Sequence, residues 1–326
     1  MENLKIIVMK DVEAEQVAFL WKPYIAFGKL TIVQGDPGCG KTTMMLAVAA
    51  EVTLGKPIAG TGEAVKPAEV IFQTAEDGLA DTIKPRLEQL GADCSRVYII
   101  DESECALSLV DERIGTAIKR TGSRLLIIDP IQAYLGGADM HSANGIRPLM
   151  KHLASVAEST GAAIVLIGHL NKNGAKSAYR GLGSIDIYAA ARSVLTVGKI
   201  DIDENMSAIV HGKSNLTPPG VSLAFGLDPK DGFCWLGEHQ ITLDELLDNK
   251  RVKSDGGMLS YATGFLKSEI SNGRIAAVDI YSLAEENGIP RRTLERAKAN
   301  LNIRSDKIGT KWFWVPEERN IAKIPV

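Results

Sequence analysis

Short runs of mainly apolar and β-branched residues recur through roughly the first 200 positions of the chain, and segments of helical character separate them. The runs occupy residues 29–33, 70–74, 97–100, 125–129 and 162–167. Strands that are apolar along their whole length are typical of a parallel sheet that helices cover on both faces. The pattern therefore predicts an α/β fold with a mostly parallel sheet, and an amphipathic helix from about 145 to 160 before its last apolar strand.

The pattern changes between residues 194 and 236. Short strands are predicted at 206–210, 221–225 and 233–236, with turns between them. Because strands linked by short turns pair with their neighbours in sequence, we expect them to extend the sheet in antiparallel fashion.

A charged stretch with two glycines, 247–257, predicts a linker between a core domain, 1–246, and a second domain, 258–326. Helices are predicted in the second domain at 261–266, 280–287 and 291–301, the second of them capped by Asp279, and a hairpin at 307–315. Two helices joined by a tight turn and followed by a hairpin predict a small winged-helix domain.

The last of these helices is rich in cations. We expect its outward positions to carry Arg291, Arg292, Arg296 and Lys298. The chain has a net charge of −3, but the part from residue 250 onward carries +5 and the rest −8. A basic second domain favours duplex DNA as its partner. An ordinary solvated surface and a protein-docking module are the alternatives.

The most specific motif lies between the first apolar strand and a helix predicted at 43–51. Its phosphate-binding positions are Gly35, Asp36, Pro37, Gly38, Cys39, Gly40, Lys41, Thr42 and Thr43. Strand, glycine-rich loop and helix are the context of a P-loop, whose N–H groups surround phosphates at a helix N-terminus. We expect Lys41 to reach the β- and γ-phosphates of a nucleoside triphosphate, and the Thr42 hydroxyl to bind Mg²⁺.

Two carboxylates follow other predicted strands. Asp129 ends an aliphatic strand, the Walker B arrangement, and is expected to orient Mg²⁺. Glu76 follows the strand at 70–74, where a carboxylate can polarise the attacking water. The alternative for Glu76 is a helix cap, a role that we assign to Asp77 instead.

His169 follows the strand at 162–167 and is a candidate contact of the γ-phosphate, although a lone histidine at a strand end is more often structural. The next residues, 171–174, resemble the guanine-reading tetrad. Gly174 replaces the aspartate that would contact the base, which argues against a GTPase.

Composition adds few constraints. The four cysteines lack C-x-x-C spacing, so neither a disulfide framework nor a zinc site is indicated. No signal peptide or apolar run of about 20 residues is found, so we expect a cytoplasmic protein without a membrane partner. Trp21 and Tyr24 precede the P-loop strand; core packing is favoured over stacking on adenine.

Together, these motifs resemble the RecA-like ATPases, and more closely the hexameric replicative helicases of the RepA and DnaB types. The resemblance covers roughly residues 15–240. It is carried by the P-loop, Glu76-Asp77, Asp129 and His169. Two further stretches support it, 179–192 and 211–225.

The resemblance implies ATP hydrolysis with Mg²⁺ at subunit interfaces of a homo-oligomeric ring, expected to be a hexamer, that drives single-stranded DNA through its centre. Arg192 and Lys213 match the cations that complete a neighbouring subunit's site. Lys172, Lys176 and Arg180 match a DNA-contacting loop, and 134–144 is a weaker candidate for a second loop. The alternative to a helicase or translocase is an ATP-switched replication initiator, loader or regulator that does not unwind DNA.

Overall fold

The computed structural model contains two compact units, 1–250 and 251–326. The structure describes residues 6–61, 66–140, 142–170, 185–200, 205–228, 232–248, 257–270, 274–287, 289, 291–301, 303–309 and 311–315.

The first unit contains strands and helices in near alternation. Its strands are β1 Phe19–Trp21, β2 Ile25–Ala26, β3 Leu30–Gly35, β4 Val70–Thr74, β5 Val97–Tyr98, β6 Leu125–Asp129, β7 Ala163–His169, β8 Ser193–Lys199, β9 Met206–Ser214, β10 Leu223–Asp228 and β11 Gly232–Glu238. Its helices are α1 Lys41–Leu54, α2 Lys84–Gln89, α3 Glu112–Thr121, α4 Ala143–Thr160, α5 Ile185–Ala190 and α6 Leu243–Asp248. A single π-helical turn, Leu79–Ile83, precedes α2.

Nine of these strands form one sheet in the order β11-β10-β9-β8-β3-β7-β6-β4-β5. All pairs from β8 to β5 are parallel, and β9, β10 and β11 continue the sheet in antiparallel fashion. The predicted α/β fold with a mostly parallel, RecA-like sheet and an antiparallel extension is confirmed. Since β7 lies between β3 and β6, the carboxyl ends of these three strands lie side by side.

The four strands β3, β7, β6 and β4 in the middle of the sheet are buried on both faces, which explains why most of their residues are apolar. Along β6 and β7, Ile127 and Val165 belong to the hydrophobic cluster that contains α1. Their neighbours Ile128 and Leu166 belong to the cluster that contains α4. Trp21 and Tyr24 are each 2% exposed and pack in the α1 cluster, which confirms the core interpretation.

The described residues of the second unit form three helices and a small antiparallel sheet with the strand order β12-β14-β13. The elements are α7 Gly257–Ile270, β12 Ile275–Ala276, α8 Ala277–Glu286, α9 Arg291–Asn300, β13 Arg304–Ile308 and β14 Lys311–Val315. Trp314 is 1% exposed and packs among residues of all three helices. The observed order of helices and hairpin matches the predicted order, while membership of the winged-helix class stays a prediction.

The predicted cap at Asp279 is wrong. Helix α8 begins at Ala277, and its N-cap residue is Ala276, which has no side-chain oxygen to offer. Asp279 lies in the first turn, where its carboxylate is still favourably placed relative to the helix dipole.

A buried histidine ties the β9–β10 connection to the sheet. His211 is 5% exposed. Its Nδ1 accepts a hydrogen bond from the Gly220 N–H at 3.0 Å, and its Nε2 lies 3.0 Å from the Ser193 hydroxyl. The ring is therefore neutral, with its proton on Nε2. Burial lowers the pKa of His211 to about 4.

We expect this histidine to make the folded protein less stable as the pH falls from about 6.5 to about 4. The unfolded imidazole binds a proton below its ordinary pKa of about 6.5, whereas the folded one resists protonation until about 4, so acid favours the unfolded state. The contribution at pH 5 is on the order of 2 kcal/mol. Urea unfolding at pH 7 and pH 5 measures it. His211→Asn should flatten this dependence, and an unchanged dependence in the variant would contradict the assignment.

Candidate nucleotide-binding site

The loop between β3 and α1 has the backbone conformation that its glycines predict. Gly38 and Gly40 have φ angles of 75° and 86°, which other residues rarely adopt. A Cβ atom at Gly40 would also lie 2.5 Å from Leu227 Cδ1, so a larger residue would have to displace that side chain in addition to adopting a strained backbone. Because Gly40 is the N-cap of α1 and contributes no side-chain cap, the first N–H groups of the helix remain available to an anion.

Lys41 is the best-buried cation of the site, at 4% exposed. Its Nζ donates to the carbonyl oxygens of Gly35 at 3.0 Å and Asp36 at 2.8 Å, and lies 3.3 Å from His169 Nδ1. Within the described residues, no carboxylate forms an ion pair with it. A buried ammonium that has only neutral partners is suited to binding an anion such as phosphate.

Asp129 ends β6 beside the start of α1. The Thr42 hydroxyl donates a hydrogen bond of 2.6 Å to Asp129 Oδ2. Burial raises the pKa of the Asp129 carboxyl above its ordinary value, and the bond from Thr42 opposes that rise.

This hydroxyl and carboxylate fit Mg²⁺, which usually takes one or two protein oxygens and fills its remaining positions with phosphate and water. In the described part of the chain, no group of three or more His, Cys, Asp or Glu side chains is arranged to hold a metal without a nucleotide. The residues present therefore suit an ion that arrives with its phosphates.

Glu76 follows β4 at the same edge of the sheet. Its side chain is 60% exposed, and its Oε1 lies 3.7 Å from His169 Nε2. His169 is the last residue of β7 and pairs in register with Gly35 of the P-loop. The imidazole therefore lies between the carboxylate of Glu76 and the ammonium of Lys41.

The capping role predicted for Asp77 is wrong. The N-cap of the following π-helical turn is Gly78, and the Asp77 carboxylate instead accepts a hydrogen bond of 3.1 Å from Arg86 on α2. The close approach of Arg86 depends on how α2 packs, so no local sequence signal could have indicated it.

A cleft of about 710 Å³ opens beside the P-loop, between α1, α2 and the hairpin of β10 and β11. Thr43 lines its P-loop end, and Arg86, Leu227 and Phe233 line its walls. The cleft is adjacent to the predicted site but separate from it, since its lining residues do not include Lys41, Thr42, Glu76, Asp129 or His169. Its walls come together only in the folded chain, where the hairpin packs against α1.

Arg192 and Lys213 lie near the amino-terminal ends of β3 and β8, at the opposite end of these strands from the P-loop. Arg192 immediately precedes β8, and its main-chain N–H donates to the carbonyl of Leu30, the first residue of β3. Lys213 pairs with Val194 in the adjacent strand. Since β3 then runs five residues toward the P-loop, these positions are roughly 16 Å from it, at ~3.3 Å per residue.

Lys213 has partners on α5. Its Nζ donates to the carbonyls of Tyr188 at 2.8 Å and Ala189 at 3.2 Å, and lies 5.0 Å from the centre of the Tyr188 ring. Burial lowers the pKa of Lys213 below its ordinary value, and the nearby charge of Arg192 lowers it further. A cation in these surroundings would gain from an approaching anion.

The residues predicted to contact single-stranded DNA fall outside the part of the chain that the structure describes, at least in part. Lys172, Lys176 and Arg180 lie outside the described residues, as does part of the candidate loop at 134–144. Cys39 is buried, its thiol lies 3.4 Å from the carbonyl oxygen of Val197, and burial raises the pKa of the thiol.

In the second unit, Arg291 lies over the Tyr281 ring at 4.3 Å and Lys298 over the Trp314 ring at 4.3 Å. Arg296 is exposed on the same helix, and the side chain of Arg292 is outside the described set. Among the helices that the structure describes, none combines the length and apolar character needed to cross a membrane.

The sequence is similar to DNA repair proteins named RadA. RadA of Halalkalibacterium halodurans is 30% identical over 152 residues, which are 45% of this chain and 29% of RadA. RadA of Bacillus subtilis is 27% identical over 151 residues, with the same coverage of 45% and 29%. The chain thus spans less than a third of the length of these curated relatives. Among solved structures, the ATPase domain of G40P matches with a TM-score of 0.48 and 13% identity, over 65% of this chain and 85% of that one.

The family model for the AAA domain matches residues 6–175. That range contains the P-loop, Glu76, Asp129 and His169, and the match confirms the P-loop ATPase predicted from the motifs. Because it covers just over half of the 326 residues, the chain belongs to the AAA domain family.

Proposed function

We propose that this chain is an ATP-hydrolysing DNA motor of the ring-forming RepA and DnaB type, a helicase or translocase. One observation carries the proposal: Lys41, Thr42, Glu76, Asp129 and His169 meet at a single edge of the sheet, around the P-loop. Phosphate-binding, metal-binding and proton-accepting groups are thus combined in one site.

The proposed roles follow from the chemistry of each group. The N–H groups of the P-loop and the Lys41 ammonium bind the β- and γ-phosphates. Thr42 and Asp129 would hold Mg²⁺, which supplies positive charge to the phosphate oxygens. Glu76 orients a water molecule and accepts its proton as the bond from the γ-phosphorus to the ADP oxygen breaks. His169, which is in contact with both Glu76 and Lys41, senses the γ-phosphate.

Ring formation is supported by the two cations at the far edge of the sheet. Arg192 and Lys213 are too far from the P-loop of their own chain to reach its phosphates, but a second copy can present them to that site. Burial, and to a smaller extent the charge of Arg192, disfavours the ammonium of Lys213, and a γ-phosphate would stabilise it. We propose a homo-oligomer, with a hexamer expected, in which at least one of them acts between subunits.

DNA is the proposed substrate of the motor. The segment with Lys172, Lys176 and Arg180 follows His169 closely in sequence, so cations that hold a phosphate backbone are linked to the nucleotide site. The RadA relatives are DNA repair proteins by name. Contacts of Arg291, Arg292, Arg296 and Lys298 with duplex DNA are a further part of the proposal.

We expect single-stranded DNA to stimulate ATP turnover and the protein to separate a forked duplex only when ATP is present. Steady-state hydrolysis with and without DNA tests the first point, and a labelled fork tests the second. Light scattering with nucleotide measures the mass of the assembly. Turnover that is independent of DNA, with no strand separation, would favour the initiator, loader or regulator. Absence of ATP binding in calorimetry with Mg²⁺ would overturn both functions.

A further inference from the structure

The hairpin of β13 and β14 carries an aromatic side chain, Trp312, that is exposed to solvent. Trp312 is 52% exposed, whereas Trp314, two residues later, is 1% exposed. Residues two apart in a strand face the same side, so both rings lie on the face that packs against the helices. Trp312 is nearer to the turn at Gly309 and extends beyond the core that covers Trp314.

Cations accompany the exposed ring. Lys307 pairs directly with Trp312 across the hairpin, and its Nζ lies 5.9 Å from the centre of the ring. Lys298 of α9 donates a hydrogen bond of 2.5 Å to the hydroxyl of Ser305 and lies over Trp314, so it lines the same face. A row of Lys298, Lys307 and Trp312 thus runs toward the turn.

The same face has no acidic residue from the hairpin. Asp306 pairs with Phe313, and strand alternation directs both of them to the opposite side. Among the described residues, neither Lys298 nor Lys307 forms an ion pair with a carboxylate. The positive charge along the row is therefore available to an anionic partner.

On α9, the helix that the sequence predicted as the DNA contact, Arg291 and Lys298 have partners within the fold. Arg291 lies over the Tyr281 ring, and the Tyr281 hydroxyl donates to Glu295 on the same helix. Lys298 is held toward the hairpin. Arg291 and Arg296 remain exposed on α9, but the hairpin is where a cation lies beside an aromatic ring that is more than half exposed.

We infer that this hairpin is a binding site for single-stranded nucleic acid, in which an unpaired base stacks on Trp312 while Lys307 and Lys298 contact the flanking phosphates. A flat exposed ring beside cations is the arrangement by which proteins hold unpaired bases. A paired base cannot offer its face in this way, so duplex DNA is a poorer ligand for the ring. The inference deepens the DNA-binding part of the proposed function and rests on it.

Tryptophan fluorescence of the 326-residue chain during titration with a short oligothymidylate tests the inference. We expect quenching in the wild type that is largely missing from Trp312→Phe, since the difference between the two isolates this ring from the other tryptophans. Trp312→Ala should lower affinity about ten- to hundredfold, the effect of losing one stacked base. Lys307→Ala should lower affinity less and reduce its dependence on salt.

Tyr261→Ala is the matched control, because Tyr261 is 48% exposed in the same unit but belongs to α7. It should bind as the wild type does. Circular dichroism of each variant establishes that the second unit is folded, and Trp312→Phe preserves an aromatic ring where alanine proves disruptive.

Two results would overturn the inference. Equal quenching by duplex and single strand would show that no unpaired base is stacked, and absence of quenching by either would favour a protein partner for the hairpin. Calorimetric ATP binding to the wild type tests the motor separately. ATP binding without oligonucleotide quenching removes only the hairpin site, whereas quenching without ATP binding removes only the motor.

Discussion

Lys41→Ala is expected to reduce ATP turnover at least about a hundredfold, the loss typical of removing one preorganised charged donor from a reaction centre. The ammonium lies at the base of the P-loop, 4% exposed and held by the carbonyls of Gly35 and Asp36. Among the described residues, no second cation lies within hydrogen-bonding distance of the Gly35 and Asp36 carbonyls. No neighbouring side chain among them can therefore take over the role of Lys41. Binding should weaken as well, because Lys41 contacts phosphate in the ground state. Calorimetry with ATP and Mg²⁺ and a phosphate-release assay measure the two effects.

Lys84→Ala is the control for loss of a lysine. Its side chain is 66% exposed, and its Nζ lies 3.9 Å from Glu88 in a surface pair that contributes little to stability. This variant should bind and hydrolyse ATP normally. Wild-type turnover in Lys41→Ala would remove the P-loop assignment, and with it both proposed functions. The melting temperatures of the wild type and Lys41→Ala distinguish two causes of lost activity. An unchanged melting temperature indicates lost phosphate contacts, and a lowered one indicates a damaged loop.

Glu76→Gln is expected to bind ATP almost normally and to hydrolyse it about 10²- to 10⁴-fold more slowly, the usual contribution of a general base. The amide keeps the shape of the side chain but cannot accept a proton at neutral pH. Because Glu76 is 60% exposed, its replacement should leave the fold unchanged. Single-turnover hydrolysis and nucleotide affinity, measured on the same sample, separate chemistry from binding.

The neighbouring carboxylate provides the control. Asp77 is paired with Arg86 at 3.1 Å on a partly exposed surface, an interaction worth about 1 kcal/mol or less. Asp77→Asn should therefore stay close to the wild-type rate. Equal rates in the wild type and in Glu76→Gln would assign the proton transfer to another group.

The P-loop could be predicted because the residues that bind phosphate are consecutive in the sequence. The P-loop needs glycine at Gly38 and Gly40, followed at once by Lys41 and Thr42, and the structure has this conformation. Asp129 was recognisable because it ends an apolar strand, and carboxyl ends of parallel strands share one edge.

Predictions were less accurate where a side chain chooses between a local and a distant partner. Asp77 was expected to cap the turn that follows it, but Arg86 of α2 is its partner. Asp279 was expected to begin α8, but the helix starts at Ala277. Both errors have the same cause, since a cap is worth only about 1 kcal/mol and packing of the surrounding elements outweighs it.

The apolar strands, the P-loop and the acidic residues at strand ends could be predicted from the sequence alone, because hydrophobic periodicity and backbone chemistry act over a few residues. Folding was needed to bring Leu227 and Phe233 to the cleft and to separate Arg192 and Lys213 from their own P-loop. Folding also decided that Trp312 is exposed to solvent while Trp314 is buried. These features depend on contacts between residues far apart in sequence, and no short pattern encodes such distances.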